Sequence, residues 1–286
     1  MLALFLRHYR RFAMFSGGVA LFVMTELSLS GAGLSMASYV GAFAVTAMLL
    51  ALLAAGVYII APQWRGLLEI TGMAALITAA FLYFSAPTLS SFWLWAVGIA
   101  FWSLLSMAIG AALNGRVSQK IGSETTWRDR HSGHISYPAR LVWRHVVPGA
   151  AEPGDHCTGM MAHYDEDDED PDTVHVTFKG RKDRAAQYTL TFLERDFPSS
   201  CRFFFQGTEA DGTVVDGIFS LRCTVLDRDS CFISFVEERA GLKIGSLVER
   251  WFDDALGYQY DKLIEILDKR YSETYGIRKP SLVGAE

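Results

Sequence analysis

The chain has 286 residues, 51% hydrophobic and 20% charged, with a net charge of −5. That charge is unevenly placed: residues 128–286 carry 20 Lys/Arg against 28 Asp/Glu, a balance of −8. Such a segment is excluded, by charge alone, from binding nucleic acid or lying flat on anionic lipid.

Four long apolar runs occupy the first part of the chain, at residues 12–30, 36–61, 67–85 and 92–113. Each supplies roughly 20 largely apolar residues, about what a helix needs to cross a ~30 Å hydrocarbon layer. They predict a transmembrane bundle of four helices over residues 1–116. Arg7, Arg10 and Arg11 precede the first run, Arg65 lies between the second and third, and Arg116 and Lys120 follow the fourth, whereas the turns at 31–35 and 86–91 carry no charge. The positive-inside bias then places both termini in the cytoplasm, in a multi-pass protein of the cell's inner (plasma) membrane. A cleaved signal peptide competes for the first run, because Arg7 to Arg11 resembles a basic leader and Ser28, Ser30 and Gly31 are small. Three crossings would remain in that case.

Glu26 is expected near the outer end of the first helix, reaching the interface, and Glu69 is expected to pair with Arg65 one turn earlier. No run has the paired mid-membrane charges or broken half-helices of a transporter. Small residues such as Ala75 with Ala79 and Ser106 with Gly110 allow close helix approach, and Trp64, Trp93 and Trp95 fall where indole rings favour the interface.

Residues 117–130 read as a linker, 131–275 as one folded domain and 276–286 as a flexible tail. All four cysteines, Cys157, Cys201, Cys223 and Cys231, fall in the domain and are expected as reduced, buried side chains. An extended stretch at 134–137 leads to a helix opened by Pro138 and running to Val147. Strands follow at 157–164, 173–178, 187–193, 201–207, 213–225 and 230–238, separated by turn residues. Alternation is clean in Val174, Val176, Phe178, in Tyr188, Leu190, Phe192 and in Val215, Gly217, Phe219, Leu221, Cys223, Val225, which predicts an antiparallel sheet with one buried face. Residues 245–275 read as one long helix with Val248, Phe252, Leu256, Gln259, Leu263, Ile266 and Leu267 on its apolar side. Gly257 interrupts it, either because something passes close to the backbone or as a tolerated glycine.

The order of strand, short helix, six antiparallel strands and long terminal helix resembles the START-like (SRPBCC) superfamily of polyketide cyclases/dehydrases and lipid-transport proteins. Residues Ile135-Ser136-Tyr137-Pro138-Ala139-Arg140-Leu141-Val142-Trp143 look like the family's opening strand and proline-initiated helix, and Val248 through Leu267 like its closing helix. The likeness covers about half of the chain and rests on element order. The stretch after Val147 departs from the pattern, being short and lacking the usual aspartate and tryptophan. The resemblance implies an α+β helix-grip domain, an antiparallel curved sheet wrapped on the C-terminal helix, with an apolar cavity between them for a lipid-like molecule. Phe178, Tyr188, Phe192, Phe219, Phe235, Trp251 and Tyr258 are the side chains expected near it, the alternative being that they fill a solid core.

Asp216, Arg222, Glu194 and Asp254 are the polar side chains available for catalysis, but their spacing identifies no acid or base, so no catalytic residue is assigned. Six of the seven histidines, His131, His134, His145, His156, His163 and His175, cluster together, with His163 and His175 as candidate cross-strand neighbours. Their spacing fits no zinc motif, and neither a metal nor a cofactor is expected. The acidic run at 165–170 lacks the glycine and terminal glutamate of a calcium loop and reads as a solvated hairpin tip.

Three functions stay open. The first is a membrane-anchored domain binding or presenting a hydrophobic or lipid-like small molecule. The second is a cyclase/aromatase-type enzyme on a similar substrate, and the third an assembly or regulatory subunit joined to a membrane-protein partner. The partners expected are the lipid bilayer and a hydrophobic molecule, with no nucleic acid.

Overall fold

In the computed structural model, which describes residues 7–31, 33–61, 64–85, 91–114, 126–179, 185–208 and 214–275, the four apolar runs become helices α1 (Tyr9–Leu29), α2 (Met36–Ile60), α3 (Arg65–Ser85) and α4 (Ser91–Asn114). Each is long and apolar enough to cross a membrane. Of the 25 residues of α2 only Ala54 and Ala55 are buried, and Met36 and Ile60 are 80% and 84% exposed. A helix apolar on every side and largely uncovered by protein suits hydrocarbon rather than water.

Backbone contact sets the crossing of α1 and α3. A methyl group on Gly18 would stand 2.5 Å from the Gly72 carbonyl oxygen, and one on Gly72 would stand 2.7 Å from that of Met14. Glycine at both positions lets the two helices touch, a closer approach than the Ala75/Ala79 pair, which packs in the cluster formed with Val19, Phe22, Leu82 and Leu94.

Glu26, a carboxylate of the apolar helices, departs from expectation, and Glu69 has a partner on another helix. Glu26 is fully buried rather than interfacial; its Oε1 lies against Gly98 of α4, in space that any larger residue there would fill. Glu69 is buried and accepts a hydrogen bond of 2.5 Å from Nε of Arg11 on α1. The side chain of Arg65 lies outside the described residues.

The chain divides into two compact units, Met1–Ile121 with Lys243–Asp254, and Gly122–Leu242 with Ala255–Glu286. This corrects the reading of 245–275 as a single helix. It is two, α6 (Ile244–Phe252) and α7 (Ala255–Tyr275), separated at Asp253, whose φ of −95° and ψ of 137° are extended. The break has a tertiary cause. Asp253 Oδ1 lies 3.0 Å from Nη1 of Arg11 and 3.3 Å from Nδ1 of His8, Asp254 Oδ2 lies 2.5 Å from Nη1 of Arg7, and Arg10 donates to the Trp251 carbonyl at 2.9 Å. His8 is itself bonded at 2.7 Å to the Tyr58 hydroxyl. Gly257, expected to interrupt the helix, lies buried within α7.

The second unit is a seven-stranded antiparallel sheet. Its strands are β1 (Trp127–Ile135), β2 (Met161–Glu166), β3 (Thr173–Phe178), β4 (Ala186–Asp196), β5 (Ser200–Thr208), β6 (Val214–Asp227) and β7 (Ser230–Ala240), in spatial order β1-β7-β6-β5-β4-β3-β2. Strand β1 starts inside the segment read as linker; residues 117–125 of that segment, and the tail at 276–286, lie outside the described residues. Helix α5 (Ala139–Val146) follows Pro138 as the sequence requires. The strand expected at 157–164 begins later, after a 3-10 turn at Pro153–Asp155, and Cys157 sits in the intervening loop with its N–H donating to the His145 carbonyl at 2.7 Å.

Helix α7 grips this sheet. Leu256, Leu263 and Leu267 are completely buried, and Tyr260 lies across Gly133 of β1, where an added methyl group would meet its ring at 2.6 Å. The Tyr260 hydroxyl donates to the His134 carbonyl at 2.6 Å, and the buried Tyr137 hydroxyl donates to Asp268 Oδ1 at 2.7 Å. The result is a curved antiparallel sheet closed by the C-terminal helix, a helix-grip fold.

Candidate functional site

Period-two alternation turns Tyr188, Leu190 and Phe192 of β4, Phe203 and Phe205 of β5, Phe219 of β6 and Phe235 of β7 toward the buried face. Their rings touch in sequence. Phe178 meets Tyr188 at 5.8 Å between centroids and Tyr188 meets Phe205 at 6.0 Å; Phe203 stacks on Phe219 at 5.1 Å, and Phe219 meets Phe235 at 5.9 Å. Two glycines make room for this wall. A methyl group on Gly207 would strike the Tyr188 ring at 2.5 Å, and one on Gly217 the Phe205 ring at 2.5 Å, so each ring lies over bare backbone of the next strand.

These walls leave a cavity of about 90 Å³. Of the aromatic residues expected there, Phe178, Tyr188 and Phe219 line it, while Phe192 and Phe235 are buried without lining it. Trp251 and Tyr258 are not among its lining residues. Trp251 belongs to the first unit, 46% exposed beneath the guanidinium of Arg10 at 5.4 Å, and Tyr258 is 51% exposed on α7. The α7 side chain that lines the cavity is Gln259, which the sequence placed on the apolar side of the helix.

The polar lining differs from the residues considered for catalysis. Asp216, Arg222, Glu194 and Asp254 do not line the cavity; His156, Cys157, Glu237, Arg239 and Gln259 do. Glu237 and Arg239 form an ion pair on one strand, with Nε and Nη2 of Arg239 each 2.9 Å from Glu237 Oε1, and the guanidinium lies 5.0 Å from the Phe205 ring centre. The inward positions Ile233 and Phe235 continue in register to Glu237 and Arg239, the one signal in the sequence for this pair. Nothing comparable marks His156 and Cys157, which sit in a loop.

Carbonyl oxygens only accept, so the 2.9 Å contact to Val146 fixes the His156 proton on Nε2 and leaves Nδ1 to accept from the Thr158 hydroxyl at 2.9 Å. Burial holds this imidazole down to about 4, against the opposing pull of the Val146 bond. The unfolded chain takes up the same proton near 6.5. Stability contributed by the neutral ring is therefore complete above that pH and is lost as pH falls toward 4, by about 3 kcal/mol in all. Melting of the full chain between pH 4 and 7 is expected to fall more steeply for the wild type than for His156→Asn; parallel curves would contradict this account. Burial likewise pushes the Cys157 thiol up to about 12, leaving it un-ionised and unreactive at neutral pH.

The remaining histidines do not converge. His163 faces Thr177 across the β2–β3 ladder and lies 3.0 Å from Asp165, while His175 faces Asp165 and lies 3.1 Å from Asp167. Among the described residues no group of three His, Cys, Asp or Glu is placed to hold a metal ion.

No family model and no curated protein matches the chain. Solved structures similar to it include an uncharacterised protein from Rhizobium leguminosarum, at 12% identity over 52% of this chain and 99% of that one, with a TM-score of 0.42. Norcoclaurine synthase from Thalictrum flavum is 16% identical over 51% and 95%, TM-score 0.37, and the Zhui aromatase/cyclase from Streptomyces sp. R1128 is 13% identical over 52% and 96%, TM-score 0.37.

Proposed function

We propose that the protein is a membrane-anchored helix-grip module that binds a hydrophobic, lipid-like small molecule and presents it at the cytoplasmic leaflet. The observation that carries this reading is the aromatic-walled cavity with a single charged pair in its lining. Anchoring by α1 to α4 holds the domain beside a membrane-soluble ligand and raises its effective concentration there. The arginines before α1 and between α2 and α3 support a cytoplasmic site.

Size restricts the ligand. An apolar cavity of about 150 Å³ admits benzene, and pockets for larger ligands measure about 300–1,000 Å³. The cavity of about 90 Å³ therefore takes a chain end or part of a ring, and a larger ligand would need the lining to move apart. Glu237, Arg239 and Gln259 would orient a polar end.

An enzyme of the cyclase or aromatase type is the second reading, favoured by the ionisable groups in the lining. His156 is bonded at both nitrogens and Cys157 is un-ionised, so acid–base chemistry would fall to Glu237, with Arg239 as its fixed positive partner.

Full-length protein extracted in mild detergent is expected to retain a small apolar molecule in stoichiometric amount, read by native mass spectrometry. Leu190→Trp, which fills cavity space, should reduce that occupancy at least about tenfold while the protein still folds, at a stability cost of about 1–3 kcal/mol from overpacking. Equal occupancy in both proteins, or an empty wild type that instead carries a protein partner, would overturn the reading in favour of the assembly role.

A further inference from the structure

The opposite face of the same sheet is polar and basic. There Arg130, Arg202 and Arg222 line a groove of about 570 Å³, on the outward positions of β1, β5 and β6. The register sets Arg202 opposite Ser220, and Arg222 between Ser200 and Ser234, so hydroxyls alternate with guanidinium groups. None of these three guanidiniums makes an ion pair among the described residues. The carboxylates of the groove are Glu238, paired with Arg128 at 3.2 Å, and Glu194, which accepts from the Ser200 hydroxyl and stands opposite Arg202 in the β4–β5 register, so four guanidinium groups, Arg128 included, outnumber two carboxylates in the lining. Unpaired arginines on a unit of net negative charge amount to a local reversal of sign.

The complementary surface lies on the same chain. In the β2–β3 turn, Asp167 Oδ1 accepts from the backbone N–H groups of Glu169 and Asp170 at 2.9 and 3.1 Å, and Asp170 Oδ2 accepts from the Thr173 hydroxyl at 2.8 Å. Two acids thus fold the turn, and the exposed carboxylates of Glu166, Asp168 and Glu169 make no ion pair among the described residues. The turn is held at the β2–β3 edge of the sheet, whereas the groove runs from β5 to the opposite edge at β1, and no carboxylate of the turn meets these arginines within one chain. Dimensions agree: four strands from β1 to β5 span about 14 Å at ~4.8 Å spacing, wide enough for a two-stranded hairpin of about 10 Å with its side chains.

We infer that the outer face of the sheet is a docking groove for the acidic β2–β3 tip of a second copy of this chain. Groove and tip are different surfaces, so the contact is head to tail and leaves a free groove and a free tip at the ends of each pair. It is independent of any ligand in the inner cavity.

The test uses full-length protein in a non-ionic detergent, followed by sedimentation equilibrium. Wild type is expected to associate with rising concentration at about 0.1 M salt and to separate at about 1 M, where the screening length falls from ~10 Å to ~3 Å. Arg202→Glu/Arg222→Glu and Asp168→Lys/Glu169→Lys should each weaken self-association at least tenfold. Mixed together they should recover it, because the reversed groove of one variant then receives the reversed tip of the other. Unchanged melting curves show that both variants fold. A wild type that sediments as a single copy at low salt, association indifferent to either reversal, or folded variants that stay apart when mixed would each overturn the inference, as would a monomeric wild type whose groove binds anionic vesicles.

Discussion

Arg11→Ala is expected to be the most damaging single substitution in the helical unit. Its side chain is 0% exposed and stands between two carboxylates, with Nε bonded to Glu69 at 2.5 Å and Nη1 3.0 Å from Asp253. Only Nε–H is aligned to donate a hydrogen bond; the other nitrogens act by charge at short range. Removing the cation leaves Glu69 and Asp253 sharing a site with far less to neutralise them. Breaking a buried pair in this way costs about 3–5 kcal/mol, whereas replacing all its members by apolar groups is often neutral. The expected fall in melting temperature of the detergent-solubilised chain is about 6–20 °C at ~2–4 °C per kcal/mol. Arg11→Met/Glu69→Leu/Asp253→Asn should recover most of it. If single and triple variants melt alike, the network is not what holds these helices.

Glu237→Leu should be the second most costly change, and the one that bears on the cavity. It strips Arg239 of the carboxylate that both Nε and Nη2 contact, at side-chain exposures of 16% and 8% for Arg239 and Glu237. A cost of about 3 kcal/mol is expected for this variant and a similar one for Arg239→Leu. Glu237→Leu/Arg239→Leu restores neutrality and should melt within about 1 kcal/mol of the wild type, giving a coupling energy of the size seen between contacting residues. Stability and binding then separate: the double variant should fold but retain less of any ligand with a polar end. A double variant as unstable as the sum of the single ones would show that the pair does not act as a unit.

What the sequence disclosed depended on how local each cause was. The four long helices were legible because each is apolar along about 20 residues, enough to cross a membrane, and residues 36–61 needed no partner to be recognised. The strands were legible from alternation, and the same alternation aimed Phe178, Tyr188 and Phe219 at the cavity. The break at Asp253 was not, because Val248, Phe252 and Leu256 keep helical spacing straight across it and the bonds that open it come from residues of α1. For Glu69 the i,i+4 neighbour Arg65 is visible in the sequence, whereas the buried partner Arg11, on another helix, is not. Glu237 and Arg239 resembled an exposed strand end, although the parity of Ile233 and Phe235 already placed them inward.

The bond between Arg7 and Asp254 joins residues 247 positions apart. A ribosome adding about 5–20 residues per second needs roughly 10–50 s to make that stretch. Throughout this interval the basic end of α1 must wait for its carboxylates, with all four apolar helices already synthesised and the strands emerging between. The helical bundle is therefore finished last, by the segment after β7, and a chain halted before Asp253 would carry Arg11 without one of its two counter-charges.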